Sequence, residues 1–393
     1  MHIRKDIVIF GGGIAGLWLL NRLRNEGFDA VLLEERALGT GQSIASQGMI
    51  HGGMKYALAG KLTGASEAIA DMPRLWRDCV AGHGEVDLRG TPLLSDTYYL
   101  WPRASLRSRF NAFLGSKAVR GKVDSVPDAE LPAFFQGRIK GPLYRLQDIV
   151  LNVPALLQKL ADNMQGHVHC IDWTTARIEA AATGSIAALH LGNGQVLDAG
   201  LFISTSGEGS EFFLQQLQPR GVAMQRRPLQ MVVVKHQQRD PVYVHCVSDQ
   251  LTATPELTIT THPCRDGSSA WYLGGELAEA GAHLSSADLL AQTRRKLTEL
   301  FPWCDFSTAR YHSFHINRAE AQQPDGKRPD TPGVLAANNL LYCWPTKLTL
   351  APDLAQRVLQ VVRERGMQPG TAHAGLLQGL TTPAVATAPW DMF

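Results

Sequence analysis

Near its start the chain carries an unbroken apolar run, Asp6-Ile-Val-Ile-Phe10, the pattern of a strand buried on both faces of a parallel sheet. Leu17, Leu20 and Leu23 then recur at helical spacing from Ile14 to Glu26, and Gly27 stands where a helix stop belongs. Ala30-Val-Leu-Leu33 is a second buried strand, so a βαβ unit opens the chain. A Gly/Ser-rich loop follows from Gly39 to Gly53, then a helix over Leu58 to Cys79. The pattern turns to strand between Asp87 and Trp101, to helix over Leu106 to Leu114, and to irregular chain over Pro127 to Gly141. Further helices are expected over Val153 to Met164, Ser285 to Phe301 and Pro352 to Arg365, with Ser285 or Ser286 as an N-cap. Strands are expected at Val168–Ile171, Ala176–Glu179, Ile186–Leu191 and Leu201–Ile203, with a hairpin turn at Gly192-Asn-Gly194. Others are expected at Met231–Lys235, Val242–Val247, Leu257–Thr261, Trp271–Leu273, Ala309–Ile316 and Leu340–Cys343.

α/β character thus occupies the start, middle and end, and β-rich chain fills two insertions. The economical fold is α/β, a Rossmann-like dinucleotide domain interleaved with an antiparallel-sheet α+β domain. The expected boundaries give the first domain residues 1–80, 146–220 and 325–366, and the second 81–145 and 221–324. The Ala/Thr/Pro-rich tail, 367–393, is expected to drape on the surface.

Composition narrows the class. With 393 residues the chain is long enough for two or three domains at about 150 residues each. Its formal net charge of +2 offers no basic field for nucleic acid. The six cysteines, at 79, 170, 246, 264, 304 and 343, form no C-x-x-C pair, which reads as reduced thiols in a cytoplasmic protein. The 14-residue stretch Ile7 to Leu20 is the longest apolar one, and four glycines break it. That is too short to span a bilayer, so at most peripheral membrane contact is expected. His312 and His315 fall on opposite faces of a strand, and His167 and His169 lack a third ligand nearby, so no metal site is expected.

Gly11-Gly-Gly13-Ile14-Ala15-Gly16 fits G-x-G-x-x-G between a strand and a helix. Gly11 allows the tight turn, Gly13 a close approach to a pyrophosphate, and Gly16 close helix–strand packing. The helix N-terminus offers free N–H groups to the diphosphate. Glu34, ending the second strand, suits ribose hydroxyls and opposes a 2′-phosphate. The fingerprint alone does not separate NAD from FAD. The loop Gly41 to Gly53 favours the latter, because its small and hydroxylated residues suit backbone laid along a pyrophosphate and a flat ring.

At these motifs the chain resembles FAD-dependent oxidoreductases of the D-amino-acid oxidase/glycerol-3-phosphate dehydrogenase type. The fingerprint, the Ser43-to-Gly53 loop, Ser204-Thr-Ser-Gly207 and Lys347-Leu-Thr-Leu-Ala-Pro352 stand in the family order. Met49-Ile-His-Gly-Gly-Met-Lys-Tyr56 looks most like glycerol-3-phosphate and L-2-hydroxyglutarate dehydrogenases. The resemblance implies that Gly11, Gly13, Ile14, Ala15, Gly16 and Glu34 hold the ADP half of FAD. It places Ser43, Ala45, Ser46, Gly48 and Met49 beside the pyrophosphate and isoalloxazine. Thr205, Ser206 and Gly207 return to the cofactor, with Ser206 where the family usually has alanine. Leu348, Thr349 and Leu350 point a helix N-terminus at the flavin edge that gains negative charge on reduction.

Five residues are candidates for the chemistry. His51 suits a base for a hydroxyl proton, or else only hydrogen-bonds the flavin or a loop carbonyl. Lys55 and Tyr56 stand where similar dehydrogenases carry arginine-tyrosine against an anionic substrate, although lysine lacks the bidentate fork. Arg318 is the candidate receptor for a substrate carboxylate, against the alternative of a surface salt bridge. Lys347 would meet anionic reduced flavin or the substrate.

The expected reaction moves hydride from a C–H bearing a hydroxyl, in a 2-hydroxy acid or polyol phosphate, to flavin N5. The substrate is expected to be small and anionic, and the electron acceptor a quinone, oxygen or a protein. An amine or amino-acid oxidase producing hydrogen peroxide is the alternative in the same fold. A tRNA-modifying flavoprotein is disfavoured by the charge balance, and a non-catalytic FAD-binding protein by the polar residues clustered at the flavin-facing segments.

Overall fold

The computed structural model describes residues 1–53, 69–102, 123–139, 141–248, 254–370 and 377–393. The expected helix at 106–114, the 58–68 part of the helix before Cys79, and Lys55 and Tyr56 lie outside the described residues. Strand β1 (His2–Phe10) is buried without interruption from Lys5 to Phe10. It lies between two parallel neighbours, β2 (Ala30–Glu34) and Val196–Ser204. With neighbours on both edges and helices on one face, such a strand has no polar side to show, hence its continuous apolar run. Helix α1 (Ile14–Asn25) packs against Ala351–Glu364 and Val153–Asp162 and ends before Gly27, whose φ is +90°.

Among the described residues two eight-stranded sheets dominate. The first runs, edge to edge, Arg177–Ala180, Ile186–His190, Val196–Ser204, β1, β2 and Val168–Cys170. The long strand Val196–Ser204 has two partners along one edge. Its N-terminal half takes the antiparallel Ile186–His190, and its C-terminal half takes Leu340–Trp344 in parallel. The second sheet runs Arg310–Ala321, Met224–Lys235, Ser269–Gly274, Leu257–Pro263, Val244–Val247, Tyr98–Pro102, Tyr144–Leu146 and Val123–Ser125. It is antiparallel except where Val244–Val247 meets Tyr98–Pro102. A three-stranded sheet joins Met49–Ile50, Ile149–Leu151 and Leu93–Ser95. The fold is therefore the expected α/β dinucleotide domain with a sheet-based substrate domain. Among the described residues no helix is long and apolar enough to cross a membrane.

Several elements differ from the sequence expectation. Gly333–Ala337 is a strand, antiparallel to Leu340–Trp344, and Ser210–Leu217 and Glu276–Gly281 are helices. Each is short, and tertiary packing rather than periodicity decides it. The tail is the larger correction, because it is fixed to the body. Leu38 N–H donates to the Ala384 carbonyl at 2.8 Å, and Ala386 N–H to that of Leu38 at 3.0 Å. Trp390 is buried and stacks on His262 at 3.8 Å between ring centres. An indole carries too much apolar surface to remain in water when an aromatic wall is within reach.

Candidate active site

The first sheet ends in a turn that needs its glycines. Gly11 has φ +100°, and a Cβ there would stand 2.7 Å from Ser206 Cα. A Cβ on Gly16 would meet the Gly11 carbonyl oxygen at 2.0 Å and Thr205 Oγ1 at 2.6 Å. Thr205 Oγ1 donates to the carbonyls of Phe10 and Gly11 at 2.9 and 3.0 Å, locking the two strand ends together. The Ile14 N–H, in the first turn of α1, donates to Ser43 Oγ at 2.9 Å. Glu34 is held by main-chain donors, with Oε2 accepting from Gly12 N–H at 2.5 Å and Oε1 from Arg36 N–H at 2.8 Å. Its carboxylate is thus aimed before any ligand arrives.

Beside this turn lies a cavity of about 600 Å³, within the range of small-molecule and cofactor sites. Gly11, Gly13, Ile14, Ala15, Glu34, Ser43, Ala45, Ser46, Gly48 and Met49 line it, as do Thr205, Ser206, Gly207, Leu348 and Thr349. Gly16 and Leu350 are buried behind the wall, Gly16 against β2 and Leu350 in the core below the α1 layer. His51, Arg318 and Lys347 also line the cavity, so three separated segments converge on one space.

His51 is 5% exposed, and its segment is pinned on both sides. Its N–H donates to Thr349 Oγ1 at 3.4 Å, and the Gly52 N–H to Asp148 Oδ1 at 2.8 Å. Thr349 Oγ1 in turn donates to the Met49 carbonyl at 3.3 Å, and Trp76 Nε1 to the Thr349 carbonyl at 3.1 Å. The loop after β2 and the turn before Ala351–Glu364 are therefore one rigid unit.

Arg318 leaves the Arg310–Ala321 strand toward the cavity with its side chain 19% exposed. Its Nη2 donates to Glu279 Oε1 at 3.2 Å, while buried Nε has no hydrogen-bond partner among the described residues. Burial, reinforced by the Arg227 guanidinium opposite it in the ladder, lowers its pKa from the ordinary arginine value. Arg227 itself is forked onto the fully buried Glu320 at 2.7 and 2.9 Å. The salt bridge to Glu279 is present, on a partly exposed carboxylate, and it leaves the Arg318 Nε free of any partner among the described residues.

Sequence reasoning passed over three other residues. Gln47, between Ser46 and Gly48, donates to the carbonyls of Tyr272 and Thr258 at 2.8 and 3.3 Å, and Tyr272 OH donates to the Ala45 carbonyl at 2.6 Å. These bonds clamp the loop to the second sheet, and partners more than 200 residues away leave no local signal. Thr346 has φ +62°, with Lys347 N–H donating to the Pro345 carbonyl at 2.7 Å. A β-branched residue in such a three-residue turn is strained. Its Oγ1 is buried at the cavity with no hydrogen-bond partner among the described residues. Strain and an orphaned hydroxyl mark a position kept for a ligand.

These features fit FAD. The turn leaves backbone, not side chains, facing the diphosphate position, Glu34 is set for a ribose, and the orphaned Thr346 hydroxyl and Arg318 Nε belong to residues that line the same cavity.

Known proteins agree. The sequence family described as FAD dependent oxidoreductase matches residues 6–341. A relative from Pseudomonas aeruginosa, described as a probable FAD-dependent oxidoreductase, is 44% identical over 392 residues, 99% of this chain and 98% of its own. The crystal structure of that protein aligns with a TM-score of 0.85 over 99% of this chain and 98% of the other, at 40% identity. One component of the anaerobic glycerol-3-phosphate dehydrogenase of Haemophilus influenzae is 32% identical over 81 residues, 20% of this chain and 14% of its own. The FAD-bound L-α-glycerophosphate oxidase of Mycoplasma pneumoniae shares the fold, with a TM-score of 0.65 and 14% identity over 95% of this chain and 97% of that one. A match spanning most of the sequence, on a cavity built in this way, identifies the chain as an enzyme that uses FAD: it belongs to the FAD-dependent oxidoreductase family.

Proposed function

We propose that the enzyme oxidises a small anionic substrate at a carbon bearing a hydroxyl group, a 2-hydroxy acid or a polyol phosphate. Arg318 carries this reading. A guanidinium taken out of water with one nitrogen unpaired is costly, and an anionic group on the substrate would satisfy it. Glu279 would release part of its hold as the substrate anion enters. The partial match to a component of a glycerol-3-phosphate dehydrogenase supports the hydroxyl assignment.

Gly11, Gly13, Glu34, Ser43 and Thr205–Gly207 would hold the flavin, with Leu348 and Thr349 at its ring end. Bound there, it supplies the two-electron acceptor that no side chain provides. His51, fixed beside Thr349, would take the hydroxyl proton as the C–H bond is cleaved. Lys347 would offset negative charge gathering at the ring. The tight packing of Gln47 and Tyr272 onto the loop would keep water out.

A second reading, oxidation of an amino acid, is favoured by Glu279. Its carboxylate, 41% exposed beside Arg318, would suit the ammonium group of a zwitterion. Anaerobic mixing of holoenzyme with hydroxy acids, polyol phosphates and amino acids separates the two. Bleaching of the flavin absorbance by a hydroxyl substrate supports the first reading, and bleaching by amino acids alone overturns it.

A further inference from the structure

Around Glu34 the cavity is also lined by its chain neighbours Leu33, Glu35 and Arg36, and by Trp173. Trp173 follows the strand Val168–Cys170, in which Cys170 stands opposite Glu34. The Ile171 N–H donates to the Glu34 carbonyl at 2.9 Å and carries the chain over the end of β2. A tight turn then fixes the next residues. Asp172 Oδ1 accepts from Thr174 N–H at 2.9 Å and Thr174 Oγ1 at 2.6 Å.

The indole packs among aromatic rings that line the same cavity, Phe212 at 4.7 Å and Phe10 and Phe213 at 5.8 Å between centres. Even so, Trp173 is only half-buried, in contrast to Phe10 and Phe213, which are buried. It also lines the cavity. A rigid apolar ring left half-exposed on a cavity wall gains most by covering a flat partner. In FAD the adenine is joined directly to the ribose that Glu34 would bind, so it must lie within one ring's reach of that carboxylate.

We propose that Trp173 is the platform on which the adenine of FAD stacks, a contact the glycine fingerprint does not encode. It sets affinity through the adenylate half of the cofactor and is independent of which substrate is oxidised.

The test uses cofactor-stripped protein titrated with FAD, read by flavin fluorescence, and with ADP, read by calorimetry. Trp173→Leu keeps apolar bulk against Phe212 but has no π-face. It is expected to raise the Kd of both ligands by about tenfold or more, as base–aromatic stacking predicts. Trp173→Phe should remain within about threefold. ADP lacks the isoalloxazine, so equal losses for the two ligands locate the effect at the adenine. An unchanged FAD affinity in the leucine variant, or a loss for FAD without one for ADP, overturns the proposal. A readout on the unaltered fold stands beside these. ADP should quench part of the tryptophan emission of the parent protein, and that part should be missing in Trp173→Phe; equal quenching in both also overturns it.

Discussion

At the residue scale the site depends on a few side chains whose neighbours leave them little freedom. The main chain that carries His51 is fixed, because the N–H groups of His51 and Gly52 are tied to Thr349 and Asp148. Its value as a base would come from that fixed position. His51→Ala is expected to retain FAD and its visible spectrum while slowing flavin reduction by roughly 10²- to 10⁴-fold, the usual contribution of a general base. Anaerobic stopped-flow absorbance measures this, and reduction at the parent rate would remove His51 from proton transfer. If the substrate is anionic as proposed, Arg318→Leu should lower its kcat/KM by about 10²-fold or more through KM, because a largely buried charged partner is lost. Arg318→Lys should recover only part, since the fork is lost. An equal effect on an uncharged analogue would argue against an anion contact. His51, in the glycine-rich loop, and Arg318, in a β-rich run, are candidates that the sequence offers, and both line the cavity. Thr346 and Gln47 were not legible there, since strain and cross-domain hydrogen bonds exist only after folding.

At the element scale, the strand Leu257–Pro263 links the loop after β2 to the tail. Gln47 Nε2 reaches the Thr258 carbonyl, His262 Nε2 pairs with Thr260 Oγ1 at 2.9 Å, and His262 stacks on Trp390. Burial pushes the His262 imidazole down to about 3, and that of His236, against Trp271, down to about 4. Unfolded imidazoles charge near pH 6.5, so below that pH the unfolded chain binds protons the folded chain refuses. Stability is therefore complete above about pH 6.5 and declines as pH falls toward the folded values. His262→Gln preserves a hydrogen-bond partner for Thr260 and should flatten this decline. Thermal unfolding between pH 7 and 4.5 measures it, and identical pH slopes in the two proteins would mean that His262 does not contribute. The strand was visible in the sequence as a β-rich run, but its histidine was not marked as buried, because alternation does not say which tail residue will cover it.

At the scale of the whole molecule, the tail closes the second sheet. Trp390 covers His262 and Tyr272, whose hydroxyl holds the Ala45 carbonyl of the flavin-side loop. Lys235 Nζ reaches both Asp266 at 3.0 Å and the main-chain oxygen of Phe393 at 3.1 Å, and Asp391 accepts from the Arg265 N–H at 2.8 Å. Trp390→Ala should cost about 3–5 kcal/mol, as for other buried aromatic residues truncated to alanine. Denaturant unfolding of the holoenzyme tests this, and a change below about 1 kcal/mol would show that the packing relaxes around the loss. Composition gave no hint of the role, since an Ala/Thr/Pro-rich stretch looks like surface chain until the one tryptophan in it finds a wall.

The sequence by itself determined the βαβ opening, the glycine turn, the acidic strand end and the class of cofactor. These are local: a buried parallel strand must be apolar throughout, and a helix position whose would-be Cβ stands 2.0 Å from the backbone of the turn admits only glycine. Tertiary structure alone decided how His51, Arg318 and Lys347 meet, which loop Gln47 clamps, and where the tail docks. Those are contacts between segments far apart in the chain, chosen by burial and hydrogen-bond satisfaction across the two sheets. Neither periodicity nor motif spacing carries that information.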